Sequence, residues 1–100
     1  MASFTNDNLA NAYWELGRYE AGLEASRRLL AARPDYYPGH VYAAYNYASL
    51  GRIDEARAAI VAARRLQPDL SIETIQRIYG VSRPEVDARR NAALRQAGLE

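Results

Sequence analysis

The sequence predicts an all-α fold, a solenoid of helical hairpins with two repeats and a capping helix pair behind them, about six helices in all. Three observations predict it. Leu16-Gly17-Arg18 returns as Leu50-Gly51-Arg52, and Pro34-Asp35 returns as Pro68-Asp69, a spacing of 34 residues. Tyr13 and Tyr47, Ala10 and Ala44, and Ala25 and Ala59 keep the same register. Within each unit a glycine divides the apolar-rich sequence into two stretches, and a proline ends the second.

The first stretch, from about residue 4 to 16, stops at Gly17, which takes a left-handed conformation without a Cβ penalty and so closes a helix. The next, from about residue 19 to 32, ends before Pro34, whose ring excludes the α conformation at Arg33. The second unit repeats the scheme, with a helix over about residues 38–50, a stop at Gly51, a helix to about Leu66 and a break at Pro68. The chain therefore divides, as a single domain over 1–100, into repeat one at 3–36, repeat two at 37–70, and a degenerate third hairpin or cap at 71–98. The repeat fades after Asp69, since Glu85 stands where the next glycine is due. Ser71 caps a short helix with Glu73 in its first turn, where the helix dipole favours a carboxylate, and Gly80 terminates it after Tyr79. Ser82-Arg83-Pro84-Glu85 has the spacing of a capping box, and the last helix runs from there to about Gln96, with Gly98 behind it. Val86, Ala93 and Ala97 lie near one face of that helix while Arg89, Arg90 and Arg95 point mostly elsewhere, as a solenoid cap requires.

These residues resemble the tetratricopeptide repeat. The resemblance puts small residues where the helices of a hairpin cross, Ala10 with Gly22 and Ala44 with Ala56, a tyrosine one turn before each glycine, and a proline at the end of each unit. The chain departs from the pattern at Asn6 and His40, where a bulky apolar residue is usual, and at Ser26, where a large apolar one is. The tail from Pro68 to Glu100 resembles the carboxyl-terminal end of tetratricopeptide segments in bacterial class III adenylate and guanylate cyclases and winged-helix regulators. That resemblance implies a fragment of a larger bacterial signalling or regulatory protein. Leu99-Glu100 also has the composition of a cloning remnant.

Composition fits one small domain with a core, 49% of its 100 residues being hydrophobic. No run approaches the ~20 apolar residues of a membrane span and no signal-peptide pattern is present, which leads us to expect a cytoplasmic protein with no membrane role. A net charge of +1 lacks the basic footprint of phosphate-backbone binding, so no nucleic-acid partner is expected. All thirteen basic residues are arginine; with Glu24 to Arg28 and Glu85 to Arg89 at i,i+4 spacing they read as solvated helix faces. The one histidine, His40, sits at a packing position, the chain has no cysteine, and its glycines are isolated, so neither catalysis, a metal nor a cofactor is expected.

Function then falls to the surface. In the family the first helix of each hairpin lines a concave groove, and the resemblance places Asp7, Asn11 and Trp14 there from repeat one and Tyr42, Tyr45 and Ser49 from repeat two. Aromatic rings with polar tips and an amide suit a protein or peptide segment; the other reading is that Trp14, Tyr42 and Tyr45 fill gaps between neighbouring hairpins. Cochaperones of the family grip a terminal carboxylate with lysines, asparagines and an arginine. The corresponding places here hold Asp7, Asn11, Tyr42, Ile72 and Gln76, of which only Asn11 agrees, and Asp7 repels a carboxylate. The alternative is a structural element that pairs through the open solenoid end at Leu9 and Ala25, either with another copy as a homodimer or with further repeats upstream, because so few repeats are at or below the number needed for stability.

Overall fold

The computed structural model describes residues 6–79 and 83–99, without the side chains of 6–8 and 78–79. Gly80, Ser82 and the side chain of Asp7, all assigned roles above, lie outside the described residues. Among the described residues there are six helices and no strand: α1 (Asn6–Glu15), α2 (Tyr19–Ala32), α3 (Tyr37–Ser49), α4 (Ile53–Leu66), α5 (Ile72–Tyr79) and α6 (Pro84–Gln96).

The 34-residue period is a repeated helix ending. Gly17 and Gly51 have φ of 78° and 80°. Around them Gly17 N–H donates to the Trp14 carbonyl at 3.0 Å and Arg18 N–H to that of Tyr13 at 2.7 Å, while Gly51 N–H donates to Ala48 at 3.0 Å and Arg52 N–H to Tyr47 at 2.9 Å. This is the Schellman arrangement, which satisfies carbonyls that a helix end otherwise leaves open. Gly98, with φ of 93°, closes α6 in the same way, Leu99 N–H reaching the Leu94 carbonyl at 3.0 Å. Leu94 and Leu99 are both fully buried, so the chain after Gly98 packs back on the core.

At the other helix starts the chemistry is local too. Thr74 N–H donates to Ser71 Oγ at 3.2 Å and Ser71 N–H to Thr74 Oγ1 at 2.8 Å, a reciprocal cap in which Thr74 takes the role of the usual acid. Glu73 instead pairs with Arg77 at 2.7 Å. α6 begins with Pro84 at its first position and extended Arg83 at the cap.

α1 and α2 form one hairpin, α3 and α4 the other, and α2 packs on α3 to stack them. The crossings are as tight as the small residues imply: Ala10, Ala44 and Ala56 are fully buried, and a Cβ on Gly22 would run into the Asn46 amide and lie 3.0 Å from the Ala10 carbonyl. Ser26 is fully buried and donates to the Gly22 carbonyl at 2.9 Å, so the hydroxyl is satisfied inside the first hairpin. His40 is half-buried with Nε2 3.3 Å from the Pro34 carbonyl. α6 packs most extensively on α3, with smaller contacts to α4 and α5. Its arginines carry it on to α1.

Candidate functional site

Asn11 and Tyr45 occupy the same place in successive repeats, so stacking the hairpins brings them side by side, and Tyr45 OH donates to Asn11 Oδ1 at 2.9 Å. Trp14, one turn further along α1, sets its ring edge-on to Tyr45 with centroids 4.9 Å apart and donates through Nε1 to Ser49 Oγ at 2.9 Å. Tyr42 continues the row, 6.0 Å from Tyr45 and again edge-on, the arrangement aromatic quadrupoles prefer. Five of the six groove candidates, Asn11, Trp14, Tyr42, Tyr45 and Ser49, thus meet on the face shared by α1 and α3.

That face is covered. Trp14 and Tyr45 have no solvent exposure, and Tyr42 is 6% exposed. α6 lies over them. Arg89 holds its guanidinium 4.5 Å from the centre of the Trp14 ring and donates from Nη2 to the Trp14 and Glu15 carbonyls at 3.2 and 3.3 Å, where the negative end of the α1 dipole favours a cation. Arg90, only 6% exposed, lies 5.4 Å from the Trp14 ring centre and 5.8 Å from that of Tyr45. Its Nη2 donates to Asn11 Oδ1 at 3.1 Å and its Nη1 pairs with buried Asp87 at 3.2 Å. Glu15 closes the edge, accepting from Asn11 Nδ2 at 2.8 Å and from Arg83 at 2.7 Å. Asn11 therefore spends its amide on Glu15, Tyr45 and Arg90.

Two expectations are corrected here. The Arg89-Arg90 pair is not wholly a solvated face: Arg89 is exposed but Arg90 is interior, and Arg89 reaches α1 instead of forming the i,i+4 pair with Glu85. The physical reason is that guanidinium is planar and weakly hydrated, so it stacks on indole and buries where an ammonium would stay in water. A sequence signal existed, since Val86, Arg90, Ala93, Leu94 and Ala97 fall at helical spacing and put Arg90 on the apolar stripe. By contrast Glu24 and Arg28 do form the surface pair expected of them, at 3.3 Å.

Hollows lie beside and away from this face, among them one of about 580 Å³ lined by Ala48, Ser49, Gly51, Ile53, Arg57 and Gln96. One of about 190 Å³ on the outer side of the first hairpin is lined by Leu9, Tyr13, Ala21, Glu24, Ala25 and Arg28. Another of about 320 Å³, between α2, α3 and α4, includes Arg27, His40, Tyr47 and Glu55. No helix among the described residues is long and apolar enough to cross a membrane.

Residues 5–36 are similar to the tetratricopeptide repeat, whose family model they match. No curated protein and no solved structure matches the chain. The resemblance of the tail to cyclase and winged-helix segments finds no support in these comparisons.

Proposed function

We propose that the chain is a protein–protein interaction module of the tetratricopeptide type, which takes a protein or peptide segment on the face built by α1 and α3. The observation that carries this reading is the row Asn11, Trp14, Tyr45 and Tyr42, gathered by the repeat register into one surface on which a helix already sits. The family match over the first hairpin supports the interaction class. We place the module in a larger cytoplasmic signalling or regulatory protein of a bacterium, a setting that rests on the tail's resemblance.

The second reading, pairing through the outer side of the first hairpin, is favoured by the hollow at Leu9, Tyr13 and Ala25, where a stacked neighbour's helix would fit. Amide chemical-shift mapping with a partner captured from cell extract separates the two. Shifts of the Trp14 indole N–H, the Asn11 amide and α6 support binding at the α1–α3 face. Shifts confined to Leu9, Tyr13 and Glu24, with a solution mass of two chains, would move the function to the solenoid end.

A further inference from the structure

The hollow on the outer side of the first hairpin has a counterpart inside the molecule. Every residue that lines it, moved on by 34, lines the larger hollow between α2, α3 and α4: Leu9 corresponds to Ala43, Tyr13 to Tyr47, Ala21 to Glu55 and Ala25 to Ala59. There Arg27 and Leu30 of α2 form the other wall, so the surface inside is one against which a helix is laid. The covering helix brings an arginine to the tyrosine, Arg27 Nη2 donating to Tyr47 OH at 3.4 Å. On the first hairpin the same surface has its tyrosine, its apolar Leu9 and its small Ala21 and Ala25, and α1 and α2 alone line it.

The two surfaces differ most at the remaining pair. Inside stand Ala58 and Ala62; the first hairpin has Glu24 and Arg28 in their place, with side chains 55% and 68% exposed. A covering helix without matching groups would desolvate both charges uncompensated, so the occupant has to bring the opposite charges in the reverse order. α2 itself does so. Glu24 and Arg28 lie one turn apart, and a second α2 running antiparallel across a twofold axis sets its Arg28 against Glu24 and its Glu24 against Arg28 at once. Ala21 and Ala25 between them let two such helices approach closely. The incoming Arg28 then stands to Tyr13 as Arg27 stands to Tyr47.

We propose that the occupant of this hollow is α2 of a second copy of the chain, antiparallel across a twofold axis and matched by reciprocal Glu24–Arg28 pairs over Ala21 and Ala25. The inference rests on the second reading above, pairing through the outer side of the first hairpin, and adds to it the partner and its orientation. The α1–α3 face takes no part and keeps α6 over it.

Charge exchange tests this. Sedimentation equilibrium of the full chain from micromolar to millimolar concentration should show one chain passing to two. Glu24→Arg and Arg28→Glu, each alone, set like charges against each other at both contacts and should weaken the dimer at least about tenfold. The two variants mixed in equal amounts should pair with each other, and a chain carrying both changes should regain self-pairing, because either arrangement restores opposite charges; Arg64→Ala should have no effect. All three positions are exposed, and circular dichroism establishes that each variant is folded. Loss in both single variants and recovery in the mixture, with concentration-dependent amide shifts at Leu9, Tyr13 and Ala21, support the proposal. A wild-type mass of one chain throughout overturns it. A dimer that shows those shifts but that neither reversal weakens keeps pairing through the outer side and overturns this arrangement of it, whereas a dimer whose shifts lie elsewhere overturns both.

Discussion

Gly22 and Gly51 constrain the chain for opposite reasons, and substitutions separate them. At Gly51 a Cβ would meet nothing within 4 Å, but φ is 80°, so the obstacle is backbone conformation alone. Gly51→Val should cost more than ~1 kcal/mol, because a β-branched residue is poorly tolerated at positive φ. Gly22 is helical, and there the obstacle is the neighbour: its Cβ would strike the Asn46 side chain. Gly22→Ala should cost about 1–3 kcal/mol, the range for overpacking, and Asn46→Ala in the same chain should return part of that loss. Chemical denaturation of the two single variants and the double reads the coupling directly. The glycines were legible in the sequence because each fills a position that its own turn or crossing defines. Arg90 was not, since charge counts measure what a residue carries and not the ring across from it, and only the 86–90–94–97 stripe hinted at its burial.

At the scale of the element, helix ends are where this chain stores most of its local information. Arg52 precedes α4 and grips Glu55 with two bonds of 2.7 and 2.6 Å while its guanidinium lies 4.9 Å from the centre of the Tyr47 ring, tying the α3–α4 turn. The hydrogen bond from Arg52 holds the Glu55 carboxyl below the usual carboxylate range, partly offset by desolvation. A depressed folded-state pKa gives stability that is present above the unfolded value and lost as pH falls through the folded one. Between about pH 7 and about pH 3 the urea midpoint of the wild type should therefore fall slightly more than that of Glu55→Gln. In α6, Leu94→Ala should cost about 2–5 kcal/mol as a buried large-to-small change, whereas Arg64→Ala on exposed α4 should cost less than ~0.5 kcal/mol, both by denaturant titration. The six helices and their breaks could be read from glycine, proline and serine because those residues act over a turn or less. Where α6 settles depends on contacts far along the chain, and no periodicity encodes that.

Taken whole, the molecule departs from a simple stack. In a solenoid each unit touches only its neighbours, so contacts stay local in sequence. Here Arg83 reaches Glu15 across 68 residues, Arg89 reaches Trp14 across 75, and Arg90 reaches Asn11 across 79. Weakening α6 should therefore be felt at the opposite end of the chain: in Leu94→Ala, amide exchange should quicken in α1 as well as in α6, while a stack with neighbour contacts alone would leave α1 protected. That Asn11, Trp14, Tyr42, Tyr45 and Ser49 share one face was legible because the repeat register aligns equivalent positions; that the face lies under α6 was not. The Arg89 contact with the last carbonyls of α1 also bears on how the chain is made. During translation domains ordinarily mature from the amino end, but the cation that covers the end of α1 leaves the ribosome some seventy-five residues after Trp14. Until then Trp14 lacks its guanidinium cover and has only its α3 neighbours, Tyr45 and Ser49, which emerge first.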